Sequence, residues 1–199
     1  MQSLVLVFTN KFIDSGIITE DKRAIFEFGL KEAIFMLINL LTVVAIGVLT
    51  GEFFCLVVFS VSYMLLHPFA GGYHADSRKN CYVISIIIIV VVSFISKYVN
   101  LNNGVHLFFM LISTSIIMIL APIEDYHKPL DEVEKKIYRQ KLIKRLMFQI
   151  VFSALCFVCS YKFLQVISVS FFMNAFMLVI GYKKNQCKKM FSSKCNESV

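Results

Sequence analysis

Charge is scarce in this chain. Asp, Glu, Lys and Arg make up 17% of its 199 residues, 58% are hydrophobic, and mean hydropathy is +0.74. A soluble domain of this size needs far less apolar surface to fill its core, so a soluble fold is excluded and an integral membrane protein is implied. Strict apolar–polar alternation is also missing, which removes a membrane barrel and leaves helices as the way to satisfy the backbone in lipid. No basic residue precedes the first apolar stretch, and Asp14, Glu20 and Asp21 follow it without a small-residue cleavage site, so the start does not read as a cleaved signal. No basic patch is interleaved with aromatics, so the net charge of +7 reads as membrane topology plus attraction to anionic lipid or an acidic partner, not nucleic acid. No charge lies deep in an apolar run. A non-enzymatic membrane peptide transporter would need a polar route, and only Asn39, Asn174 and scattered Ser and Thr offer one.

What is present is a series of long apolar runs. A span needs about 20 mostly apolar residues, and six stretches meet this, at about 30–49, 52–69, 81–98, 104–121, 146–162 and 163–182. The expectation is an all-α integral membrane protein, residues 1–199 forming one polytopic domain of about six transmembrane helices. A version with four spans plus interfacial segments also fits, because the break between the last two stretches rests on Tyr161 and Lys162. Residues 1–28 form an amphipathic N-terminal segment: Leu4, Val5, Phe8, Phe12 and Ile13 recur at helical spacing. Thr19 suits an N-cap, with Glu20 and Asp21 in the first turn of a helix entering the first span.

Basic residues are retained on the cytoplasmic side. In the six-span arrangement all of the 20 Lys and Arg except Lys97 and Lys162 fall on one side. That side collects both termini, the polar loop 70–80, the basic loop or helix 122–145 and the basic tail 183–199. A multi-pass plasma-membrane protein with both termini and the 70–80 loop cytoplasmic is the expected topology.

Six cysteines do not form a disulfide framework: Cys55, Cys156 and Cys159 lie in apolar runs, Cys81 at a span border, and Cys187 and Cys195 in a tail expected to face a reducing compartment. Cys156 and Cys159 make a CxxC, although inside a span this spacing is more often simple packing. The chemically suggestive place is GGYHADSRKNC at 71–81, where His74 precedes Cys81 by seven residues. A cysteine attacks as thiolate, and a neighbouring imidazole able to take its proton is the usual activating device. In an unbroken helix the two alpha carbons would stand about 10 Å apart, too far for that contact, so the segment must bend. Gly71 and Gly72 supply backbone freedom, and Asp76, Ser77 and Asn80 favour turns and caps. Cys81 would then lie at the N-terminal end of a span, where helix dipoles favour a thiolate. Asp76, Asn80 or Glu124 could orient the imidazole, and Ser77, Asn80 or backbone N–H groups at 80–81 could stabilise an oxyanion. Arg78, Lys79, Lys135, Lys136 and Arg139 could hold an acidic peptide tail, or simply form a solvated face. A zinc site from His67, His74 and Cys81 matches no standard ligand spacing, and no metal or other cofactor is expected. His106 opens a span near the outer surface, where it would only hydrogen-bond, while His67 and His127 near the cytoplasmic face could approach the site.

GGYHA followed by cysteine seven residues after the histidine, in a small polytopic chain, resembles the accessory gene regulator B (AgrB) family. Ala121, Pro122, Lys128, Pro129 and Leu130 resemble that family's APxxxxNKPL segment, with His127 where asparagine is usual, and His67 and Pro68 stand where basic residues commonly precede the glycine pair. The resemblance implies a membrane cysteine endopeptidase in which His74 activates Cys81 to cleave the C-terminal tail from an AgrD-like propeptide. The acyl-enzyme thioester would then be captured by a side chain of the peptide, giving a thiolactone or lactone precursor of a quorum-sensing autoinducing peptide. It also implies a bacterial host and a homodimer in the lipid bilayer. Alternatives from other classes are the peptide transporter already weighed and an interaction protein, which would survive loss of Cys81.

Overall fold

The computed structural model of the chain describes the backbone of residues 2–73, 77–123 and 131–196, and their side chains except those of 159 and 188–196. Among the described residues all regular structure is helical. In order these are α1 (Gln2–Asp14), a 3-10 turn (Glu20–Lys22), α2 (Arg23–Thr50), α3 (Phe53–Ala70), α4 (Arg78–Tyr98), α5 (Asn103–Leu120), α6 (Glu132–Cys159) and α7 (Tyr161–Asn196). Two compact units emerge, Met1–Ala45 and Ile46–Val199, with α2 continuing from the first into the second.

In the first unit the expected amphipathic segment is α1. Its buried positions are Val5 and Thr9, one turn apart, with the Thr9 hydroxyl donating to the Val5 carbonyl at 2.8 Å. Leu4 and Phe8 of the anticipated stripe are exposed. Thr19 stands in extended conformation just before the 3-10 turn, as an N-cap should, but its side chain makes no capping bond. Arg23 ties the turn together by donating to Glu20 at 2.6 Å and to Asn10 at 3.0 Å.

In the second unit α2 gives way to α3 through Gly51, whose φ of +77° suits glycine. A side chain at Gly47 would meet the Phe53 backbone 2.9 Å away, so the first hairpin closes only with a bare backbone there. Beyond it, α7 is the hub. It packs mainly on α5 and α3, and also on α6 and α4, and Leu164, Ile167, Phe171, Ala175 and Leu178 form its share of the core. Polar side chains are turned inward: Ser62, Ser93, Ser96, Ser113, Gln149, Ser153, Gln165, Ser168, Ser170 and Asn174 are all buried. Large apolar ones face out, among them Leu49, Ile119 and Val158, each more than three-quarters exposed. Small and polar residues between helices with an apolar exterior is the arrangement that lipid, not water, selects.

Among the described residues five helices are long and apolar enough to cross a membrane: 20–50, Phe53–Ala70, Arg78–Tyr98, Asn103–Leu120 and 161–187. The remaining expected span is the C-terminal half of α6, whose N-terminal half carries Lys135, Lys136, Arg139, Lys141, Lys144 and Arg145. An Asp131–Glu134 capping box starts α6. The break between the last two apolar stretches falls at Ser160, which is extended at φ −157°, two residues before the expected position. Asn39 and Asn174, polar within spans, each donate back along their own helix, to Phe35 and Ser170, at 3.0 Å.

The end of the bundle formed by the starts of α3, α5 and α7 and the finish of α4 has a polar seal that the sequence did not announce. Buried Glu52 accepts from Lys162 at 3.0 Å and from Ser96 at 2.9 Å. Burial alone pushes the Glu52 carboxyl pKa up, but the bonds from Lys162, Ser96 and Cys55 outweigh it and hold the group below its ordinary value. Lys97 donates to the Thr50 carbonyl at 3.2 Å. The two bases left over by the charge asymmetry are thus both engaged in closing this end.

Candidate active site

Cys81 lies in the first turns of α4 and is half-buried. The helix begins at Arg78 because Ser77 is extended (φ −132°, ψ 146°) and its hydroxyl accepts from the Asn80 N–H at 3.2 Å, an N-cap bond. Ser77 thus stands outside the helix that carries Cys81. The Cys81 N–H donates to the Ser77 carbonyl at 3.1 Å, and Ser85 donates to the Cys81 carbonyl at 3.0 Å. The N–H groups of residues 80 and 81, expected as oxyanion donors, are thus both spent inside the first turn. Ser77, Arg78, Lys79 and Asn80 are exposed around it. His74, Asp76, Glu124 and His127 lie outside the described residues.

On α3, Phe59, Tyr63 and His67 repeat every four residues and form a ring column, with centroids 6.0 Å and 4.8 Å apart. Tyr63 is close enough to Cys81 for the two side chains to interact electrostatically. Tyr63 was not among the residues that motif reasoning singled out, because an aromatic at helical spacing reads as packing.

The segment before His74 is held on two sides by backbone. Gly71 ends α3 at φ +74°, and a side chain there would run into the Ile123 carbonyl, while the Ile123 N–H donates to the Ala70 carbonyl at 3.0 Å. Tyr73 donates its N–H to the Met177 carbonyl of α7 at 2.9 Å, and Gly72 lies against the same carbonyl. The backbone freedom expected of the glycine pair is used, both residues having positive φ, and the absence of side chains also lets the loop approach two other backbones closely. On the outer side, the Lys184 ammonium sits 4.8 Å over the Tyr73 ring.

The basic residues divide. Lys135 pairs with Glu132 at 3.0 Å, and Arg139 donates to the Met118 carbonyl in the last turn of α5 at 3.3 Å, so both have intramolecular partners. Lys136 is exposed. Arg145, the last base of the expected basic helix, stacks its guanidinium 3.9 Å from the Phe69 ring centre and donates to the Leu65 carbonyl at 3.2 Å. Among the described residues no group of three His, Cys, Asp or Glu is placed to hold a metal ion. Cys156 of the CxxC is buried in the α6 core contact.

Fold and site together define a polytopic all-α membrane protein with a cysteine seated at the start of a membrane helix, beside a clamped glycine loop. The chain belongs to the Accessory gene regulator B family, whose model matches residues 6–178, and this membership ties it to the accessory gene regulator system. It is 26% identical over 112 residues to Accessory gene regulator protein B of Staphylococcus aureus strain MW2, covering 55% of this chain and 60% of that one. It is 24% identical over 161 residues to a Putative AgrB-like protein of Clostridium perfringens strain SM101, covering 77% of this chain and 70% of the relative. The chain thus spans about three-fifths of the length of the staphylococcal relatives it matches. No solved structure matches it.

Proposed function

We propose that the protein is a membrane cysteine endopeptidase that removes the C-terminal tail of an AgrD-like propeptide and cyclises what remains. Cys81 is the nucleophile and His74 its base. The Cys81 thiolate attacks the carbonyl at the carboxyl end of the future ring. His74, having taken the thiol proton, passes it to the departing amine. The resulting thioester keeps the acyl group activated, and a thiol or hydroxyl of the same peptide displaces Cys81 to close a thiolactone or lactone. Transfer between two thiols is nearly an even exchange, which makes cysteine an apt nucleophile. Water must be kept from the acyl carbon for closure to outrun hydrolysis.

The observation that carries this reading is the seating of Cys81 at the capped start of α4, where the helix N-terminus and the cations Arg78 and Lys79 in the same turn favour a thiolate against the opposing effect of its partial burial. Family membership supports it. Both termini and the site loop face the cytoplasm of a bacterial plasma membrane, following the basic residues. The working form is a homodimer in lipid, and the propeptide is the partner. Exposed Arg78, Lys79 and Lys136 would meet an acidic tail.

The test is incubation of purified protein in lipid vesicles with propeptides encoded beside it, followed by mass spectrometry of the parent, Cys81→Ala and His74→Ala forms. The expected products are a released C-terminal fragment and a remainder lighter than the linear acid by one water, seen only with both residues present. Cleavage that survives loss of Cys81 would sink the mechanism. No cleavage with any candidate would favour the transporter or interaction reading.

A further inference from the structure

The last helix meets the site loop at a position the proposed chemistry does not use. Gly181 is buried, and a side chain built on it would meet the Gly72 carbonyl carbon, and the Gly72 oxygen and Tyr73 nitrogen at 2.7 Å each. These are backbone atoms, which cannot step aside as the end of a flexible side chain can. One turn earlier, the Met177 carbonyl accepts from Tyr73, and one turn later Lys184 covers the Tyr73 ring. Residues 177, 181 and 184 therefore form one face of α7, and this face receives the two residues that directly precede His74.

We propose that Gly181 is a positioning residue for the reaction: its missing side chain lets the 72–73 backbone lie flat on α7, and this seating sets where His74 stands relative to Cys81. The inference rests on the reading of His74 and Cys81 as base and nucleophile. Gly29, also helical, has nothing near the place its side chain would occupy.

The test uses full-length protein in lipid vesicles and follows alkylation by iodoacetamide at each cysteine, by mass spectrometry, as a function of pH. The forms compared are the parent, Gly181→Ala, Gly29→Ala and His74→Ala. Cys187, exposed on α7, serves as an internal rate reference, and buried Cys55 and Cys156 report the fold by staying unmodified. For Gly181→Ala the expected result is a Cys81 profile displaced to higher pH, toward that of His74→Ala, with alkylation about tenfold slower at pH 7. Cys187, Cys55 and Cys156 stay unchanged, and Gly29→Ala behaves as the parent. An unshifted Cys81 profile in folded Gly181→Ala overturns the proposal. A parent profile identical to that of His74→Ala overturns the dyad itself, which is a different failure. If Gly181→Ala uncovers Cys55 and Cys156, Lys184→Met carries the test by removing only the cation over Tyr73. A shift in the same direction supports seating, and no shift overturns it.

Discussion

The Lys162 ammonium stands 3.0 Å from the Glu52 carboxylate across 110 residues of chain, and the two ends of this pair are unequal. The Glu52 side chain is 8% exposed and that of Lys162 57%. Removing the lysine therefore leaves a buried carboxylate short of its cation, whereas neutralising the glutamate leaves a lysine that water can solvate. Lys162→Met is expected to cost about 1–2 kcal/mol, scaled down for the exposed lysine, and Glu52→Gln less. Thermal unfolding in lipid, read by circular dichroism, ranks the two variants.

The same pair sets a pH dependence. Because the Glu52 pKa is held below its ordinary value in the folded protein, its stabilising contribution is present above the usual glutamate range of about 4.3 and is lost as pH falls through the folded value. Melting temperature should drop on acidification in the parent, and the drop should be smaller in Glu52→Gln. Equal acid sensitivity in both would assign the effect to other carboxylates.

Gly51 and Gly71 have nearly the same positive φ, +77° and +74°, yet different surroundings. Nothing lies near the place a Gly51 side chain would occupy, so Gly51→Ala carries only the left-handed cost of about 1 kcal/mol. At Gly71 an added carbon collides with the Ile123 carbonyl, and the loss should be at least twice as large. Urea titration of both variants in the same detergent measures the difference.

Gln165 donates one amide to two carbonyls at the finish of α4, Ile95 at 3.1 Å and Val99 at 2.5 Å. Replacing it by Leu keeps bulk but takes the side-chain donor from the Val99 carbonyl and leaves the Ile95 carbonyl with the Val99 N–H alone, a loss of about 1–3 kcal/mol. Hydrogen exchange should rise first in the last turn of α4. Uniform change along the helix would contradict this account.

Ser77→Ala removes the acceptor of the Asn80 N–H, at a cost of about 1 kcal/mol to the start of α4. Asn80 amide exchange should quicken, and Ser77→Asp, which can accept the same bond, should restore it. If cap loss also slows cleavage of the propeptide, Asp should recover that rate too.

The spans and their order were legible because lipid demands long apolar runs, and the start of α4 was legible because Ser77 and Asn80 are local signals. What could not be read is what depends on distant partners. Nothing near Glu52 in sequence announces Lys162. The bases of α6 look alike along the chain, but Arg145 lies against Phe69 and Arg139 caps α5, while Lys136 stays outside. The backbone freedom of the glycine pair was legible, but its close approach to other backbones was not, because those come from residues 123 and 177. Gly181 was available as a signal of its own, a lone glycine at the end of an apolar run.

α7 continues unbroken from its core residues through Gly181 to Asn196, so the buried side and the loop-bearing side share one angular phase. Each residue advances a helix by about 100°. A single insertion or deletion between Leu178 and Gly181 would rotate the notch away from the loop while leaving composition, length and hydropathy almost untouched. In this segment evolution can exchange letters far more freely than it can change their count.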